Sequence, residues 1–158
     1  MVSAVQPGPS PPVERKSMKV IFLDIDGVLN DGVKIMETES DFPSKDHLDC
    51  LKAIVDATDA KIVLSSTWRL FPAARNDIKN ALRNVGLEFI DRTKELPKGR
   101  GAEIKEWLSR HEDVCQFVIL DDDIDDIVTH FPENIVKTTF YQGLLPEHVE
   151  KAIKILNS

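Results

Sequence analysis

Val20-Ile21-Phe22-Leu23 is an apolar run that ends on Asp24-Ile25-Asp26-Gly27. A run without polar alternation fits a parallel strand covered on both faces. The acids then stand where the strand leaves the sheet, and Gly27 permits a sharp turn. Leu23 and Ile25 flank Asp24. A carboxylate among apolar neighbours is costly without a compensating cation, and a divalent metal is the simplest such cation. This stretch therefore predicts a buried central strand with charged chemistry at its carboxyl end.

The chain has 158 residues, 42% of them hydrophobic, which is enough for one well-packed domain. Its net charge of -7 argues against a broad grip on nucleic acid, while leaving room for a small basic pocket. Cys50 and Cys115 form no CxxC pair and read as buried free thiols in a reducing, cytoplasmic setting. No apolar run reaches the length of a membrane span, so no membrane partner is expected. The N-terminus shows no secretory pattern. Residues 1–17 contain Pro7, Pro9, Pro11 and Pro12 and read as a disordered tail, with the domain over 18–158.

Strand and helix patterns alternate along that domain. Asp31 to Phe42 is polar and irregular and reads as a small hairpin flap. Ser44 is a candidate N-cap for a helix carrying Leu48, Leu51, Ile54 and Val55. Lys61 to Leu64 reads as a strand, Ala73 to Val85 as a helix stopped by Gly86, and Leu87 to Ile90 as a strand. Arg100 to Arg110 predicts a helix with Ile104, Trp107 and Leu108 inward. Gln116 to Leu120 and Ile135 to Thr139 read as strands, and Pro146 opens the last helix. The alternation implies an α/β domain with a mainly parallel sheet. Ligands of such sheets sit beyond the carboxyl ends of the strands, at the switch point. Three strands end in polar chemistry, at Asp24, Ser65 and Asp121-Asp122.

Asp24 and Asp26, two apart on an extended strand end, would share a face, so one can act on a bound group while the other handles a proton. Asp121, Asp122, Asp123, Asp125 and Asp126 repel one another unless a cation neutralises some of them, with Asp123 and Asp125 the best candidates for plain solvated acids. Oxygen ligands of this kind suit Mg²⁺. Neither acidic segment has the glycine and ligand spacing of an EF-hand. Ser65, Ser66 and Thr67 can bind phosphate oxygens at a strand-to-helix junction or simply cap the helix. Arg69 adds charge there or lies on the helix surface, and Lys98 and Arg100 form a small basic segment. GxxxxGK, GxGxxG and GxSxG are absent, and the four histidines lack metal-ligand spacing.

The ordered set Asp24-Ile25-Asp26-Gly27-Val28, Ser65, Lys98 or Arg100, and Asp121-Asp122 resembles the haloacid dehalogenase (HAD) superfamily. Ser65-Ser66-Thr67-Trp68-Arg69, Arg100-Gly101-Ala102-Glu103-Ile104, Ile119 to Asp123 and Gly143-Leu144 look most like the HAD domains associated with RNA-repair proteins. The resemblance implies a three-layer Rossmann-like domain with strand order 5-4-1-2-3 and no full cap domain. It implies a Mg²⁺-dependent phosphomonoester hydrolase with Asp24 as nucleophile and Asp26 as general acid and base. Ser65 and Ser66, with Lys98 or Arg100, would bind phosphate. Asp24, the Asp26 carbonyl and Asp122 would hold the metal, with Asp126 or Asp121 in support. The implied substrate is a phosphorylated small molecule or macromolecular end, including a nucleic-acid 3′ end, although the net charge does not favour nucleic acid. A non-catalytic phosphate-binding module on the same fold is the competing expectation.

Overall fold

The computed structural model describes residues 17–158, so the expected tail, but for Ser17, lies outside the described residues. The central strand is β1 (Met18–Leu23). It is followed by α1 (Gly32–Thr38), α2 (Lys45–Thr58), β2 (Lys61–Leu64), a 3-10 turn (Thr67–Leu70) and α3 (Pro72–Arg83). Then come β3 (Phe89–Arg92), α4 (Arg100–Ser109), β4 (Val114–Asp121), β5 (Ile135–Lys137) and α5 (Pro146–Leu156). The five strands are parallel in the order β3-β2-β1-β4-β5, the expected order read from the other edge.

The apolar runs are explained by the two faces of the sheet. Ile21, Leu23, Ile62, Leu64, Val118 and Leu120 pack with residues of α2, α3 and α5. Val20, Phe22, Val63 and Ile119 face the other way, onto Ile104 and Trp107 of α4 and onto Ile127. Alternate residues point to opposite faces, and both faces are covered, so every position demands an apolar side chain. The chain winds from β1 outward to β2 and β3, then crosses to β4 on the far side of β1. The carboxyl ends of β1 and β4 therefore flank the switch point.

Several expectations are corrected. The segment expected as a hairpin flap is the helix α1, whose N-cap Asp31 accepts from the Lys34 N–H at 2.8 Å. Its helical character was hidden because Val33 and Met36 are exposed, leaving no apolar stripe. Leu87 does not belong to β3: its N–H bonds the Leu82 carbonyl and closes α3. Ser44 is the N-cap of α2, but its hydroxyl accepts from Lys34 Nζ instead of capping. The cysteines are unpaired but not buried: Cys50 is half-buried and Cys115 is exposed. Cys115 is skipped between the pairs Met18–Val114 and Lys19–Gln116, so a bulge turns it outward.

Trp107 holds α4 on the sheet. It is fully buried, meets Phe22 edge-to-face at 5.4 Å, stacks on His111 at 3.6 Å and donates from Nε1 to Asp91. Trp107→Ala should lower stability by about 3–5 kcal/mol in urea unfolding, because the cavity cannot close around a sheet on one side and a helix on the other.

Candidate active site

β1 ends at Leu23, and Asp24 continues the ladder by one bond, its N–H donating to the Leu120 carbonyl at 3.1 Å. The chain then turns: Val28 and Leu29 donate to the Ile25 carbonyl. Asp26 therefore lies on a turn rather than on an extended strand, and a shared strand face does not relate it to Asp24. Its carboxylate is placed by two donors instead, Asn30 Nδ2 at 2.9 Å on Oδ1 and Trp68 Nε1 at 3.2 Å on Oδ2. Asn30 also accepts from the Gly27 N–H and donates to the Asp41 carbonyl. Sequence reading assigned no role to Asn30 or Trp68. Asn30 carried a signal, as an Asx residue just past a strand exit.

Gly27 has φ +75, and a Cβ there would collide with the Asp122 carboxylate. The glycine thus serves the turn and the close approach of β1's exit to the residue after β4. Oxygens of Asp24, Asp121 and Asp122 lie within 4.8 Å of one another. Asp24 and Asp121 are buried and Asp122 is half-buried. Burial, and next the neighbouring Asp121 carboxylate, push the Asp24 carboxyl up to about 9, against the pull of Arg100. Burial likewise raises Asp121.

Arg100, at the start of α4, is the cation that the fold delivers. Its Nη1 donates to Asp121 Oδ2 at 2.5 Å and lies 3.6 Å from Asp24 Oδ2. Burial opposes its charge, but Asp24 and Asp121 hold its pKa above the usual value. Lys98 is exposed and makes no ion pair among the described residues, so the structure brings Arg100 and not Lys98 to the aspartates. Asp126 also lies outside the carboxylate cluster. Its Oδ2 accepts from the Arg100 backbone N–H at 2.7 Å and fills the space left by Gly99, capping α4 from outside.

On β2's side, Ser65 is fully buried and its Oγ has no protein partner. A buried hydroxyl left without a bond is costly, and this one ends the strand next to β1. Ser66 accepts from the Trp68 N–H and caps the 3-10 turn. Arg69 is neither a surface residue nor a free cation. It is buried, paired with Glu103 at 2.8 Å, and bonded to the Ser65, Ser66 and Thr93 carbonyls. Asp123 and Asp125 are exposed, as solvated acids should be.

Three carboxylates offering only oxygen, two of them costly as a bare buried pair, fit a hard cation such as Mg²⁺. The metal-free protein holds the proton of Asp24 well above the unfolded value near 3.9. Between that value and about 9 the native state binds more protons than the unfolded chain, so stability falls as pH rises. In metal-free protein the melting temperature should fall from pH 5 to 9, roughly 2–4 °C for each kcal/mol lost. Asp24→Asn should flatten this slope, and an unchanged slope would remove the explanation.

A family model described as "HAD domain in Swiss Army Knife RNA repair proteins" matches residues 20–149. The comparisons with curated proteins and with solved structures gave no match. The matched span runs from within β1 into the first turn of α5 and takes in part or all of each of the five strands and every residue of the acidic cluster. The chain belongs to the family of HAD domains found in Swiss Army Knife RNA repair proteins.

Proposed function

We propose that this HAD domain is a Mg²⁺-dependent phosphomonoesterase that works through an aspartyl phosphate. The observation that carries the proposal is the convergence at three neighbouring strand ends: the unpartnered Ser65 hydroxyl, the Asp24 carboxyl and the Asp121–Asp122 pair, with Arg100 between the aspartates. An anionic nucleophile attacking an anionic phosphate needs such screening.

An Asp24 oxygen attacks phosphorus as the bond to the leaving oxygen breaks. Asp26, oriented by Asn30 and Trp68, protonates that oxygen. It then takes a proton from water, whose oxygen attacks phosphorus, releasing phosphate and freeing Asp24. Ser65 Oγ donates to a phosphate oxygen, and Arg100 offsets charge on Asp24 and the phosphoryl group. Mg²⁺, held by Asp24 and Asp122 with the Asp26 carbonyl and Asp121 in support, would supply Lewis-acid charge stabilisation. Asp126 acts from a distance by fixing the start of α4. A non-catalytic binder would have no use for a carboxylate oriented by two donors.

The family's description favours a phosphate on an RNA end as the physiological substrate. Among the described residues no full cap domain covers the strand ends, so such an end can enter. The unpaired cysteines fit a reducing, cytoplasmic compartment, and no described helix is long and apolar enough to cross a membrane.

Hydrolysis of an aryl phosphate should require Mg²⁺ and stop on chelation. Asp24→Asn should abolish turnover and acid-stable labelling of the protein by phosphate. Asp26→Asn should lower kcat by roughly 10²–10⁴-fold while labelling persists. Undiminished turnover by Asp24→Asn would reject the nucleophile.

A further inference from the structure

We propose that Arg75 and Arg92 form a second phosphate site, which holds an internal phosphodiester of an RNA strand whose terminal phosphate lies at Asp24. This rests on the phosphatase reading of the Asp24 centre. Arg75 Nη1 and Arg92 Nη1 donate to one and the same oxygen, the Arg69 carbonyl, at 2.8 and 3.0 Å. Two like charges converge there, and neither has a carboxylate partner among the described residues. Nearby cations differ, since Arg110 and Lys94 both reach Glu106. A guanidinium carries five N–H donors, so one bond apiece leaves most of them to a ligand. Paired guanidiniums suit the geometry of a phosphate.

The two arginines line a cavity of about 490 Å³. Of the acids on its walls, Asp91 is engaged by Trp107 Nε1. The other, Glu95, stands with Arg69 and Leu70 on the wall shared with a neighbouring cavity of about 400 Å³ that Arg100 lines. The cleft thus runs from Arg100 past the 3-10 turn to Arg75 and Arg92. One short segment serves both ends: Ser65 follows the strand paired with β1, and the Arg69 carbonyl holds the arginine pair.

Arg100 and the arginine pair line adjoining cavities, the first of which also carries Glu95, Glu103, Asp123, Asp125 and Asp126, so the ligand must present a phosphate at each end of a spacer, which a free phosphate does not. On the other flank of the turn, the half-buried Trp68 and the 61% exposed Phe71 line a further cavity together with Asp41 and Asp77, adding aromatic surface on which a base can stack. The net charge of -7 leaves the Arg75 and Arg92 pair as a local exception on a surface that repels polyanions.

The test compares the full chain with the Arg75→Gln/Arg92→Gln double variant on a short RNA bearing a terminal phosphate and on an aryl phosphate. The expected result is a loss of about tenfold in kcat/KM on RNA, carried by KM, with the aryl phosphate within about twofold. The plot of log kcat/KM against log salt should become shallower by about 0.7, the value for one phosphate contact on a single strand. Fluorescence anisotropy of labelled RNA on Asp24→Asn, with and without the arginine changes, reads the site without turnover. A failed phosphatase reading therefore leaves this arm intact. If the glutamine variant melts early, Arg75→Lys/Arg92→Lys takes its place and should lose RNA affinity against the parent chain while the aryl phosphate stays within about twofold. Equal losses on both substrates, or no loss on RNA, overturn the proposal. So does inorganic phosphate binding the arginine pair as well as RNA does, or a phosphopeptide showing the same arginine-dependent gain.

Discussion

Two carboxylates buried side by side dictate the rest of this structure. Leu23 pairs with Leu120 across parallel β1 and β4, so Asp24 and Asp121 leave the sheet together, where water is excluded. Burial and mutual repulsion both oppose their charge. The fold answers with Arg100, and α4 is built to deliver it. Gly99 adopts φ +92 so that Asp126 can reach the Arg100 N–H, while Trp107 anchors the same helix to the sheet. One guanidinium cannot balance three acids, and the remaining deficit suits a divalent cation.

Buried polar pairs hold the loops around that centre. Arg69 and Glu103 join the turn after β2 to α4, and Glu103 also accepts from the Leu96 N–H. Replacing such a pair by apolar groups can leave stability unchanged, so its value here is positional: it ties the Ser65 segment to the helix that carries Arg100. On the opposite side, His47 bridges the Leu144 carbonyl and Asp31, the residue that caps α1. Gly143 lies against that imidazole, where a Cβ would not fit. The loop after β5 and the exit of β1 are thereby held together.

The two-sided apolar runs were legible because each strand of a doubly covered sheet repeats the same demand at every residue. Ser65, Asp24 and Asp121 were legible as strand-terminal polar groups for the same reason. Where no apolar stripe exists, as in α1 with Val33 and Met36 exposed, residue pattern does not mark a helix. Burial of a charge is equally silent: nothing local distinguishes Arg69, enclosed by Glu103 and four carbonyls, from an exposed helix arginine. The bulge that exposes Cys115 depends on register against Met18, which local pattern does not carry.

By itself, the sequence determined a covered parallel sheet and the positions along the chain where charge must meet its ends, because burial on both faces leaves a local mark in residue type. Only the tertiary structure decided which charges meet. Arg100 reaches Asp24 and Asp121 whereas Lys98 stays in solvent, and Asp126 caps a helix instead of joining Asp122. These groups come from separate parts of the chain. Strand order, register and the anchoring of α4 superpose them within a few ångströms, and a shift of one residue in any of the three would bring different side chains to the centre.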